Sequence, residues 1–425
     1  MKKHIAIALS ALTFTACGMT SPVEALLSPP TVSDEQEAVY NALIDDVGDN
    51  ITMVYPKEGE HRGAYIFADL NGDGEDEAAA LYQTADSPLV HVNILTHSGG
   101  AWHSVYDHSG YGGGVEQVFF TRFASDKLYM CVGYTGTAQN DKIFTVYSFD
   151  EGRLEARYSE FFNLVCVEDI DLDGGEDIVL INAPTDDHPA YALLVTDPND
   201  GSGVRCTSSA LMRSNITEQL GAVTGGISGG AAAVFVDSSS AGGITTEVLY
   251  CTEGILRNPA ALEDSHIPSL TLRRNGNSAD IDSDGIVEIP TLTPFPGYRE
   301  SDNMNVTVWN EFENYSLAPK YNSLYMPSQG YCFLMPTRWK GLVTVRSDAS
   351  SGERVFYKFN SNLTESRREL MRIASADIAD KEDLTGRGYE IVAEDSSRCI
   401  AIRLADSQDP LVLTLSEVQN GIILI

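Results

Sequence analysis

The sequence predicts a mainly β chain: a β-propeller-like repeat domain of about five blades, and up to seven, followed by a small α+β domain. Three observations predict it. The 425 residues exceed what one ordinary core accommodates, so a repeat domain with a second, smaller unit is expected. Short β-branched and aromatic runs alternate with Gly, Asp, Asn and Ser, in a chain with 36 glycines and 19 tyrosines. One acidic loop pattern recurs three times, with apolar residues after it.

The first residues read as an export signal. Lys2 and Lys3 precede an apolar stretch, Ile5 to Ala16, that is too short to span a bilayer as a mature helix. Phe14-Thr15-Ala16-Cys17 resembles the lipobox of bacterial lipoproteins, although Phe14 stands where an aliphatic residue is usual. The resemblance implies residues 1–17 as signal segment, Cys17 as the lipidated residue, and an extracytoplasmic protein held to the membrane by its lipid and otherwise secreted. Residues 18–50 are expected to form a Ser/Pro-rich tether and a short helix. Ser33-Asp34-Glu35-Gln36 has the pattern of a capping box, in which each side chain satisfies the other residue's free backbone N–H.

Over 51–325 strands are expected at Ala64–Ala68, Ala78–Tyr82, His91–Leu95, Val115–Phe120, Lys127–Tyr134, Ile143–Phe149, Ile178–Ile181, Tyr191–Val195, Ala231–Asp237, Thr245–Tyr250 and Met304–Trp309. Units that carry the acidic loop start near residues 60, 163 and 270, with loop-free units near 112 and 217. Each unit of roughly 50 residues has room for a four-stranded blade. Residues 326–425 are assigned to the small α+β domain, the competing reading being two more blades. Strands are expected at Gly330–Thr337, Trp339–Arg346, Arg354–Phe359, Tyr389–Glu394 and Ile400–Leu404, and a helical turn at Ser366–Arg372.

The loops carry the chemistry. Positions one, three, five and nine are Asp69, Asn71, Asp73 and Glu77 in the first, and Asp169, Asp171, Asp173 and Asp177 in the second. In the third they are Asp280, Asp282, Asp284 and Glu288. Calcium takes six to eight oxygens, and alternate positions of a tight loop turn several carboxylates towards one centre. Gly74, Gly174 and Gly285 stand at position six, where the turn is sharpest, and backbone carbonyls of Glu75, Gly175 and Ile286 are expected to complete the shells. EF-hands are excluded, because Ala80, Leu180 and Thr291 replace the glutamate at position twelve. The loops resemble those of FG-GAP/VCBS-type repeats of integrin-like propellers, in which such a loop joins two strands and holds Ca²⁺. That resemblance implies about three structural calcium ions. A fourth acidic stretch from Asp377 to Asp383 lacks the position-six glycine and places Lys381 at position five, so it is rejected.

A net charge of −33 excludes nucleic acid and anionic headgroups as direct partners. The six cysteines besides Cys17 show no zinc spacing; their even number permits disulfides, and Cys131 and Cys166 lie in apolar runs that favour buried thiols. Gly226-Ile227-Ser228-Gly229-Gly230 matches a nucleophile-elbow pattern, but a strand-like segment follows it rather than a helix. His91, His97, His103 and His108 have no metal-ligand spacing. No catalytic residue is legible. The expectation is a monomeric binding or scaffold protein presenting a propeller surface to a protein or glycan at the cell surface, with a secreted glycan- or peptide-cleaving hydrolase or lyase as the alternative.

Overall fold

The computed structural model describes residues 33–136, 142–185 and 188–425. The expected signal segment, Cys17 and the tether as far as residue 32 lie outside the described residues. Helix α1, Asp34–Val47, starts at the predicted capping box: the Gln36 N–H donates to Ser33 Oγ at 3.1 Å and the Ser33 N–H to Gln36 Oε1 at 3.3 Å. It buries Val39 and Leu43 against Ala78, Ala80 and Tyr82.

Among the described residues, six antiparallel sheets follow along the chain. In the first, Ile51–Met53 and Tyr65–Ala68 pair with opposite ends of Glu77–Thr84, which leads to Ser87–Ser98 and Ala101–Ser109. The second is the meander Gly114–Arg122, Leu128–Thr135, Lys142–Asp150 and Arg153–Phe161. The third is Leu164–Glu168, Asp177–Asn182, Tyr191–Thr196 and Arg205–Leu211, and the fourth Ile216–Gly226, Ala232–Ser240, Gly243–Thr252 and Ile255–Arg257. Glu288–Pro294, Asn305–Glu313, Ser316–Met326 and Tyr331–Met335 make the fifth, which Ile422–Leu424 completes. The sixth holds Val343–Ser347, Arg354–Lys358, Glu369–Asp377, Glu390–Glu394 and Arg398–Leu404. Four-stranded meanders repeated in chain order are the unit of propeller blades. The expected boundary at residues 325 and 326 falls inside the fifth sheet, where Tyr325 pairs with Cys332.

The middle strands are almost wholly apolar because each sheet is covered on both faces. Apolar clusters join neighbours in order: Ile94 with Val132, Phe144 with Ile178, Ile181 with Val234, Phe235 with Ile289, and Phe333 with Phe356. Among the described residues no such cluster joins the sixth sheet to the first. The first sheet's outer face is covered by α1, and the sixth packs Ala374 and Ala401 against Leu384 of the short helix Lys381–Gly386.

One expected element is corrected. Ser366–Arg372 is no helical turn, since Glu369–Asp377 is an inner strand of the sixth sheet between Arg354–Lys358 and Arg398–Leu404. Strong helix formers yield there to pairing on both edges. The six described cysteines are free thiols, with Cys131, Cys166, Cys332 and Cys399 buried. Burial pushes the Cys166 thiol up to about 12, so it behaves as a small apolar group.

Candidate metal centres

The three acidic loops share one hydrogen-bonded frame. The position-one carboxylate accepts from the glycine N–H at position six, at 3.0 Å from Gly74 to Asp69, 3.1 Å from Gly174 to Asp169 and 2.8 Å from Gly285 to Asp280. Position five accepts from the N–H at position seven at 2.9 Å in each loop, pairing Glu75 with Asp73, Gly175 with Asp173 and Ile286 with Asp284. Position nine reaches back to the N–H at position two: Leu70 donates to Glu77 at 3.0 Å, Ile170 to Asp177 at 3.1 Å and Ile281 to Glu288 at 3.0 Å. The position-six glycines have φ of 92°, 91° and 86°, which L-residues rarely adopt. Glu77, Asp177 and Glu288 open their strands with side chains buried to 3%, 2% and 0% exposure, so each loop aims an acid into the core.

The loops differ in how that buried acid is answered. In the first, the Asn71 side-chain amide donates to Glu77 Oε1 at 2.7 Å, and both Asp69 oxygens accept backbone N–H groups. Among the described residues, its carboxylates do not gather as a trio. In the second, oxygens of Asp169, Asp171 and Asp177 all lie within 4.8 Å of one another. No basic side chain pairs with them among the described residues. Burial and the Asp171 charge push the Asp177 carboxyl up to about 7, against the pull of the Asp171 and Ile170 N–H groups. Asp169 Oδ1 is enclosed with no hydrogen-bond partner among the described residues. In the third, Asp280, Asp282 and Glu288 converge, as do Asp284, Glu288 and Glu311; Lys320 pairs with Asp282, Asp284, Glu288 and Glu311, and Asp282 Oδ1 is enclosed with no hydrogen-bond partner among the described residues.

The second and third loops also hold neighbouring sheets together. The Glu176 N–H donates to the Arg122 carbonyl at 2.8 Å, and its carboxylate accepts from Thr121 Oγ1 at 2.9 Å and the Arg122 N–H at 3.2 Å. Gly175 lies so close to the second sheet that a Cβ there would come 2.1 Å from the Ala124 nitrogen. At the third loop the Gly226 N–H donates to Gly285 O at 2.7 Å and Val287 N–H to Gly226 O at 3.1 Å, a short parallel bridge from the fourth sheet. Gly226, which opens the stretch that matches a nucleophile elbow, and its neighbour Gly225 therefore permit close backbone approach, and Ser228 sits in the hairpin between strands Ile216–Gly226 and Ala232–Ser240.

No protein-family model and no curated protein matches the chain, so the FG-GAP/VCBS resemblance rests on the loop residues alone. Among solved structures, the chain is similar to an exotype rhamnogalacturonan lyase at 12% identity and a TM-score of 0.27, covering 73% of this chain and 62% of the lyase. A candidate 6-phosphogluconolactonase from Bacteroides fragilis is similar at 11% identity and a TM-score of 0.33, over 73% of this chain and 90% of that one. Sqt1 of Chaetomium thermophilum is similar at 10% identity and a TM-score of 0.30, over 84% and 82%. This chain spans less than two thirds of the lyase's length. At such TM-scores the likeness is one of β-rich texture, and the sheet architecture stands on its own pairing.

A second feature of binding character is a cleft of about 480 Å³ between the fifth and sixth sheets. Phe295, Val306, Val308, Met335 and Trp339 line it, and Thr291, Thr293, Asn310, Asn322 and Lys340 bring polar groups to it. Its size falls in the range of small-ligand sites. The four histidines stay apart from the acidic loops: His91 Nδ1 is 2.8 Å from Asp107, His97 rests on Trp102 with ring centroids 5.3 Å apart, His103 is exposed and His108 lies among tyrosine rings.

Proposed function

We propose that this chain is an extracytoplasmic, lipid-anchored binding module, stiffened by Ca²⁺ at the second acidic loop, which receives a protein or glycan partner in the cleft between its last two sheets. The observation that carries the calcium reading is the trio Asp169, Asp171 and Asp177, whose Asp169 Oδ1 has no partner and whose charges meet no basic side chain among the described residues. Clustered carboxylates repel one another, and a hard divalent ion removes that cost when bound. Asp169, Asp171, Asp173 and Asp177 would supply the side-chain oxygens, and Gly175, buried against Phe123 and Ala124, fixes the loop on the second sheet. The role is structural: the loop that holds the acids also carries the bonds from Glu176 to Arg122.

The test is a pair of melts of the whole chain, in millimolar Ca²⁺ and in chelator. Ion at about a hundredfold excess over Kd stabilises by roughly 2.7 kcal/mol, so the melting temperature should rise by several degrees. Asp177→Asn should abolish the rise. Equal melting in both media, with no calcium in the dialysed protein, overturns the reading. Lipidation is tested separately by labelled fatty acid, which Cys17→Ala should exclude.

A further inference from the structure

The third loop has the frame of the other two, but a cation of the chain's own lies inside it. Lys320 Nζ is 3.0 Å from Asp282, 2.5 Å from Asp284 and 2.9 Å from Glu288, with Glu311 at 3.3 Å. Those first three are positions three, five and nine, three of the four side chains whose oxygens a divalent ion would need at about 2.3–2.6 Å, while Asp280 at position one and the Oδ1 atom of Asp282 are not among the atoms Lys320 reaches. An ammonium among these carboxylates already supplies positive charge that a divalent ion would bring, and the two cations repel each other at such distances. Tyr321 adds a donor, its hydroxyl 2.8 Å from Asp282 Oδ2.

A recurrent irregularity delivers the ammonium there. In the fifth sheet Trp309 pairs with Tyr321 and Asn310 with Pro319, which leaves Lys320 as the extra residue of a bulge. Bulges re-aim side chains, and Pro319, without an N–H, suits one. The same step occurs between the corresponding strands of the first and third sheets. There Ile94 pairs with Tyr106 and Leu95 with Ser104, and Leu194 with Ser208 and Val195 with Cys206, leaving Val105 and Thr207 as the bulged residues. The register also matches the partner of the buried acid. Glu311 pairs with Glu288, whereas one more residue of the registers Ala78 with Leu95 and Ile178 with Val195 brings Thr96 and Thr196 opposite Glu77 and Asp177. Only the fifth sheet, among the three with loops, has both an added acid and a cation at these places.

We infer that Lys320 is the resident cation of the third loop: it supplies the positive charge that a divalent ion would otherwise bring to the shared frame, so this loop takes no metal and fastens the fourth sheet to the fifth at any calcium concentration. This reading is independent of whether the second loop binds calcium. The experiment is a calcium count per chain, by elemental analysis after dialysis against Ca²⁺, on the full wild-type chain, Asp282→Asn and Lys320→Gln. Asp282→Asn should remove no ion from the wild-type count, and Lys320→Gln should add one. A lower count in Asp282→Asn, or an unchanged count in folded Lys320→Gln, overturns the inference. Failure of the second-loop reading would show differently, as a wild-type count of zero with one ion still gained in Lys320→Gln. Should Lys320→Gln not fold, amine acylation of the folded wild type decides: Lys320 should be equally protected in Ca²⁺ and in chelator, and exposure on adding Ca²⁺ would mean the ion displaces it.

Discussion

His108 shows how one side chain sets a pH limit. It lies among the rings of Tyr106, Tyr111 and Tyr147, with centroids 6.4, 6.5 and 5.4 Å away, and its Nε2 has no partner among the described residues. Burial lowers its proton affinity in the folded protein, the nearby Asp107 opposing and His91 adding to the effect. The unfolded chain therefore takes up the proton first. The stability tied to neutral His108 is complete above about pH 6.5 and is lost as pH falls through the depressed folded value. A melting series across this range should show an acid limb that flattens in His108→Phe. Gly175 makes a steric counterpart, since any Cβ there meets the Phe123–Ala124 backbone. Gly175→Ala should cost about 1–3 kcal/mol in denaturant unfolding, the usual penalty for forcing an extra group into a packed site. At this scale the loops were legible, because positions one to nine are neighbours in the chain. Lys320 and Glu311 were not, because a bulge and a strand register far downstream decide that they arrive.

At the scale of elements, apolar runs betrayed the inner strands and polar dress concealed the outer ones. Glu77–Thr84, Leu128–Thr135 and Asp177–Asn182 are buried along nearly their whole length and were expected. Ala101–Ser109, Arg153–Phe161 and Arg205–Leu211 were missed, since edge strands with one wet face alternate charged and hydroxyl residues that read as loop. Glu369–Asp377 misled in the opposite way, its helix-forming composition overridden by two paired edges. Helix α1 was found at its cap because capping is a local bargain between Ser33 and Gln36. It shields an otherwise naked apolar face, so Leu43→Ala should cost about 2–5 kcal/mol and Ser33→Ala about 1 kcal/mol, measured by chemical denaturation.

For the whole molecule, alternation was the feature that composition could not supply and register could. Loop-bearing first, third and fifth sheets are separated by loop-free second and fourth ones, as the spacing of the acidic motifs predicts. The two loop-made junctions should then respond unequally to metal. Hydrogen exchange in chelator should speed up at the amides of Gly175, Glu176 and Arg122, while those of Gly226 and Val287 stay protected, because Lys320 travels with the chain. Loss of protection at both junctions would contradict that asymmetry.

The last strand, Ile422–Leu424, returns to Tyr331–Met335 only after the entire sixth sheet has been laid down. During synthesis the fifth sheet thus waits with a raw edge while some eighty further residues emerge, and that edge is a template for stray pairing. Its closing strand follows Val418, which is buried with Phe333 and Phe356, so one short segment both completes the fifth sheet and packs it against the sixth.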